Sequence, residues 1–299
     1  MPTAQWVGFY SSHVLSDYSF SVHPVLFHIG PILVPSYGAM AALGILLALW
    51  LALRTARVTG INPNQLWNLC ILSLFVAIAG SRLLLIALNW TIVRAHPAWL
   101  LSLAMIHHPL LASVGALLAL AAAVLYARSQ QLPFARTADA LAPPLALALA
   151  CEQIGALLAG SGYGTETSIP WAVTYTHPLA LRWSGTPLYV ALHPVQAYAA
   201  FAFLLITLAL IFRLPRRRQH GDVSGLGLIL TGAAIYYTEF YRDPEGRGAF
   251  LHGALDAPQL AAIAFVLAGA FLLRERPADC ICPEPVLSAE SSARGGSNA

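Results

Sequence analysis

Glu239 and Arg242 stand three residues apart in the stretch Tyr236-Tyr237-Thr238-Glu239-Phe240-Tyr241-Arg242-Asp243, a spacing that puts both on one face of a helix. Two readings stay open for them. They are an ion pair that holds a helix end, or an acid that orients a guanidinium fork toward a phosphate. Arg82, in Gly80-Ser81-Arg82, carries the same choice between phosphate donor and structural arginine, and its small neighbours permit close helix approach. His107-His108-Pro109 and His193-Pro194-Val195-Gln196-Ala197-Tyr198 supply imidazoles that act either as general bases near neutral pH or as helix caps. Glu152-Gln153-Ile154-Gly155 leads into Gly160-Ser161-Gly162-Tyr163-Gly164. Those glycines lack the spacing of a dinucleotide loop, and they predict a sharp helix exit with exposed backbone amides.

Metal chemistry has no support in this set. The ten histidines include no His-x-x-x-His or His-Glu-x-x-His. Cys70 and Cys151 sit in apolar runs and read as small buried hydrophobes, and Cys280 and Cys282 lack the second ligand pair of a zinc site. We therefore expect no metal, no disulfide and no cofactor.

The elements that must position these groups are membrane helices. Of the 299 residues, 58% are apolar and only 10% charged, against roughly 25% charge in an ordinary soluble domain. This excludes a soluble, disordered or nucleic-acid-binding protein. Runs of about 20 apolar residues, the length a bilayer core demands, occur near 32–53, 66–88, 108–127, 139–160, 193–213, 224–242 and 256–273. The fold class read from them is all-α: a seven-span integral membrane helix bundle with a small periplasmic head. Residues 1–31 are expected to form an interfacial arm on the periplasmic side, 32–273 the transmembrane domain with the head at 161–192, and 274–299 a disordered cytoplasmic tail. The V-T-Y pattern at 173–175 predicts short strands in the head, whose Trp and Tyr residues suit a membrane interface.

All sixteen cationic side chains are arginines. With the N-terminus outside, eleven lie on the inner side and four on the outer, with Arg82 inside a span. This positive-inside bias predicts a periplasmic N-terminus and a cytoplasmic C-terminus in the plasma membrane. Charge within a span is costly unless paired or hydrated, so Arg82, Asp139, Glu152 and Glu239 each need a reason. For Asp139 the expectation is a cap at the start of its own helix, with Pro143-Pro144 interrupting that helix nearby.

Several stretches in order resemble bacterial prolipoprotein diacylglyceryl transferases. They are His23-Pro24-Val25-Leu26, Ser36-Tyr37-Gly38, Gly80-Ser81-Arg82, Asp139 through Pro144, Ile154-Gly155, Tyr163-Gly164, Pro170-Trp171-Ala172-Val173, His193 through Tyr198 and Glu239 through Arg242. The resemblance implies transfer of the diacylglyceryl group of phosphatidylglycerol to the lipobox cysteine of a prolipoprotein. Its partners would be phosphatidylglycerol, prolipoprotein signal peptides and the bilayer, with no nucleic acid. Tyr37, His107, His108 and Glu239 would be catalytic, and Arg82, Gln153, Tyr163, His193, Gln196, Tyr198 and Arg242 would bind substrate. The family's Gly-Arg-Ile-Gly-Asn turn reads Glu152-Gln153-Ile154-Gly155-Ala156 here, so a glutamine stands at its arginine. Ser161 stands at its later acid, Ile235 at another arginine, and its His-Gly-Gly motif has no clean counterpart. The expectation is a divergent member with weakened transferase activity, raised by Gln153→Arg unless Glu152 captures the new side chain. The alternatives are a homologue that only binds phospholipid or lipidated peptide, and a channel or transporter, which the clustering of polar groups toward one side disfavours.

Overall fold

A computed structural model describes residues 24–29, 32–95, 109–243, 249–250 and 255–274. His107, His108, most of the N-terminal arm and the tail from 275 lie outside the described residues. The chain opens with a hairpin of β1 (Val25–Ile29) and β2 (Ile32–Pro35), and α1 (Ser36–Thr59) follows directly. Then come α2 (Pro63–Leu88), α3 (Trp90–Ala95), α4 (Pro109–Ser129) and α5 (Phe134–Ala159). A small excursion holds β3 (Val173–Thr174), α6 (Pro178–Ser184) and β4 (Ala191–Leu192). The last elements are α7 (Val195–Arg213), α8 (Asp222–Glu239), the hairpin of β5 (Ala249–Phe250) with β6 (Leu255–Asp256), and α9 (Ala257–Leu273).

The all-helical bundle is as the sequence implies. By length and composition five helices suit a membrane crossing, namely α1, α2, α4, α5 and α7. Their outer faces carry exposed Leu46, Trp50, Phe75, Leu117 and Phe212, apolar groups that lipid accepts and water does not. The apolar α9 is shorter, with 17 residues, and α8 has 18 with acids at both ends, so the sixth and seventh expected spans are the least extended.

The helix α5 is the axis. It packs on α1, α7 and α8, while α2 pairs with α4 and α8 with α9. Pro143 and Pro144 lie inside α5, contrary to the expected interruption. Pro144 has no N–H to give the carbonyl four residues earlier; Thr55 Oγ1 of α1 donates to that Ala140 oxygen at 2.6 Å instead. A neighbouring helix thus supplies the donor that proline removes.

Asp139 also departs from expectation. The helix that contains it begins five residues earlier, and the fully buried Asp139 carboxylate caps α8. It accepts from Gly221 N at 2.8 Å, Ser224 N at 2.9 Å and Ser224 Oγ at 3.0 Å. The first-turn amides of α8 have no intrahelical partner, and an anion at a helix N-terminus is favoured by the helix dipole as well.

Candidate functional site

At the far end of α5 the chain leaves the helix through Gly160 and Gly162, with φ of 82° and 65°, the left-handed region that glycine enters without steric cost. The following residues join a narrow antiparallel strip. Thr165 N donates to Tyr241 O and Asp243 N to Tyr163 O, while His193 N donates to Thr165 O and Thr167 N to Ala191 O. Leu192 pairs in turn with Val173 of β3. Gly164 sits where this strip meets α7: a Cβ there would lie 2.5 Å from the His193 carbonyl oxygen, a spacing only glycine permits.

Behind the strip is a small core of Val173, Tyr175, Ala180 and Leu192, packed against Leu157 and Leu158 of α5, and β3 and β4, of two residues each, meet the expectation of short strands there. Burial pushes the Tyr175 phenol above its ordinary pKa range, despite a hydrogen bond with Gln196 that acts the other way. Tyr175 therefore stays neutral and keeps donating to the Leu157 carbonyl, at 3.0 Å.

The strip ties the end of α8 to the exit of α5 and to the start of α7. Four of the stretches singled out by sequence meet there. Arg242 Nη1 lies 3.4 Å from Glu239 Oε1, so the pair shares a face as its spacing predicts; Glu239 is 2% exposed and the Arg242 side chain 28%. The Arg242 guanidinium faces Gly162, and its charge reaches Glu152. Tyr37, in the first turn of α1, donates from its hydroxyl to Glu152 Oε1 at 3.3 Å, and Gln153 Nε2 donates to Glu152 Oε2 at 2.6 Å.

Aromatic rings line the other side. The His193 ring lies 5.3 Å from Tyr241 and 6.4 Å from Tyr198, centroid to centroid, and Tyr198 lies 6.2 Å from Tyr241. Trp171 Nε1 donates to the Tyr198 hydroxyl at 2.8 Å. Gln196, 1% exposed, donates to Ser161 O at 2.8 Å and holds the helix exit against α7. Among the described residues, His193 Nδ1, Gln153 Oε1 and Arg242 Nε are buried polar atoms with no protein partner. Chemically the cluster offers a guanidinium, an imidazole, phenol hydroxyls and a carboxylate, a set suited to phosphate and to proton transfer. No group of three metal-ligating side chains occurs among the described residues.

The model of the prolipoprotein diacylglyceryl transferases matches residues 24–274. The chain belongs to that family. Among curated members it is 31% identical to the phosphatidylglycerol–prolipoprotein diacylglyceryl transferase of Clostridium tetani, over 76% of this chain and 89% of the relative. The enzyme of the same name from Vibrio cholerae is 29% identical over 85% of this chain and 91% of the relative. That of Synechococcus elongatus is 33% identical over 63% and 64%.

Seen in this transferase family, the residues of the resemblance fall in two places. Tyr37, Gln153, Tyr163, His193, Gln196, Tyr198, Glu239 and Arg242 are joined by α1, α5, α7, α8 and the strip. Arg82 stands half-buried on α2, at the crossing with α4 where Gly115 comes within reach of Ala77 O and Ser81, so its small neighbours do permit close approach. Sequence reasoning left Trp171, Tyr241 and Glu152 out of the site. The aromatic run at 236–241 was a signal for Tyr241, but nothing local foretells that Glu152 meets Tyr37.

Proposed function

We propose that this protein transfers the diacylglyceryl group of phosphatidylglycerol to the lipobox cysteine of prolipoproteins. The observation that carries the reading is that the family's Ser-Tyr-Gly, helix-exit, His-Pro and Glu-Phe-Tyr-Arg stretches, far apart in sequence, meet around one guanidinium. Arg242, oriented by Glu239, binds the phosphate and stabilises the charge that grows on it as the C–O bond breaks. His193, Tyr198 and Tyr163 hold the glycerol headgroup against the strip, and Gln196 fixes the wall behind them. Arg82 donates to phosphate from the α2–α4 side, and His107 and His108, outside the described residues, are further candidates for proton transfer. No cofactor is called for. Expression in a bacterium depleted of its own transferase tests the reading: a lipoprotein should shift to its lipid-modified form, and accumulation of unmodified precursor at normal levels of this protein would count against it.

The helices cross the membrane seven times, α8 and α9 included, with residues 161–192 in the periplasm, the arm 1–31 at its surface, and 274–299 in the cytoplasm. The arginine asymmetry supports this orientation. Reporter fusions after Arg218 and within 165–190 should read cytoplasm and periplasm respectively; the reverse pattern would overturn it.

Gln153, at the family's arginine, removes one charge donor. Simple restoration is expected to fail. The 2.6 Å bond from Gln153 Nε2 to Glu152 Oε2 marks where a guanidinium at 153 would go, because a carboxylate binds it in a charge-assisted pair. Gln153→Arg should therefore leave the transfer rate no higher than that of the natural chain. A tenfold gain, equivalent to about 1.4 kcal/mol of transition-state stabilisation, would mean that the new side chain escapes Glu152.

A further inference from the structure

Glu152 joins the site through Tyr37, Gln153 and the charge of Arg242 and has no task in the reaction as assigned so far. Both of its oxygens are held, by the Tyr37 hydroxyl at 3.3 Å and the Gln153 amide at 2.6 Å. Both partners donate, so each oxygen keeps a lone pair able to take a proton. The titratable and charged groups that face it are Tyr37 from α1 and Arg242 from the segment after α8. Backbone packing fixes the arrangement: a Cβ on Gly155 would lie 3.0 Å from Met40 Cβ and 3.3 Å from Tyr37 O, so α5 and α1 are in close contact beside the acid. Glu239, the other acid of the cluster, is nearly sealed and turned to Arg242, whereas Glu152 is half-buried. The family pattern carries glycine at 152, so this carboxylate belongs to the chain's own version of the site.

We infer that Glu152 is the catalytic base that takes the proton of the acceptor cysteine thiol. The inference rests on the transfer reaction proposed above. A free cysteine, with a pKa near 8.5, is mostly protonated at neutral pH and reacts as thiolate. A Glu152 oxygen accepts the Sγ proton, and the sulfur electron pair forms the S–C bond to the terminal glycerol carbon of the diacylglyceryl group. The C–O bond to phosphate breaks with its electron pair kept on the phosphate oxygen. The proton then passes from Glu152 to the departing glycerol phosphate, which restores the carboxylate for the next turnover. Tyr37 and Gln153 position the acid without competing for its proton.

The test uses full-length protein in vesicles containing phosphatidylglycerol, with a lipobox peptide that carries either cysteine or selenocysteine. A selenol is ionised at neutral pH and needs no base. The isosteric Glu152→Gln variant should be about 10²–10⁴-fold slower with cysteine, the range that loss of a general base brings, and should retain most of the wild-type rate with selenocysteine. That recovery also demonstrates a folded variant. Wild-type speed of Glu152→Gln with cysteine, or an equal loss with both peptides, would overturn the base assignment and leave the transfer reaction standing. No thioether or selenoether product from the wild type would overturn the transfer reaction, and the base with it.

Discussion

Arg242→Ala should lower the rate of diacylglyceryl transfer by about 10²–10³, the loss that follows removal of one preorganised donor to developing charge. Two features make Arg242 the most consequential side chain of the site. It is the guanidinium that the strip, Glu239 and Gly162 together hold in place, and the family's arginines at 153 and 235 are a glutamine and an isoleucine here, so fewer cations share its load. Arg242→Lys should recover little, because an ammonium keeps the charge and loses the fork that fits two phosphate oxygens. The measurement is the rate of product formation with phosphatidylglycerol and a lipobox peptide, after thermal unfolding has established that each variant is folded. Wild-type turnover in Arg242→Lys would show that charge alone suffices.

Asp139→Ala should be the most destabilising single change. It removes a buried carboxylate from three donors, two of them backbone amides at the N-cap and in the first turn of α8. Hydrogen bonds to a charged group contribute about 1.5–3 kcal/mol each, and a buried donor left without its acceptor adds a desolvation cost. A total loss of about 3 kcal/mol or more is expected on that basis. Asp139→Asn should fall between, since its amide offers one acceptor oxygen where the carboxylate offers two. Unfolding temperature in detergent reads both. An unchanged midpoint for Asp139→Ala would show that the cap contributes nothing to stability.

These residues also divide what the sequence makes legible from what it does not. The shared face of Glu239 and Arg242 follows from helical spacing, and it is an ion pair at 3.4 Å. The helix exit at Gly160 and Gly162 follows from glycine chemistry, and both have positive φ. The strand at 173–174 follows from β-branched and aromatic residues between prolines. Each is a local property. The start of α1 is misjudged by four residues, because Ile32–Pro35 is as apolar as a helix but pairs with β1 instead. Asp139 looks like a cap for its own helix because its partners, Gly221 and Ser224, lie 82 and 85 residues on. Pro143 and Pro144 look like a break because Thr55, which supplies the missing donor, is in another helix. The bond between Tyr37 and Glu152 spans 115 residues. Contacts of that kind are made by helix packing, and no spacing within either segment encodes them.

We propose that the cluster around Arg242 performs diacylglyceryl transfer despite the missing family arginines. Its most direct test is purified protein incubated with phosphatidylglycerol and a lipobox peptide, with the peptide followed by mass. The expected product is a peptide heavier by one diacylglyceryl group in thioether linkage, formed slowly and lost in Arg242→Ala. Peptide that stays unmodified while phosphatidylglycerol still binds would contradict it, and would make this protein a lipid-binding member of the family without the chemistry.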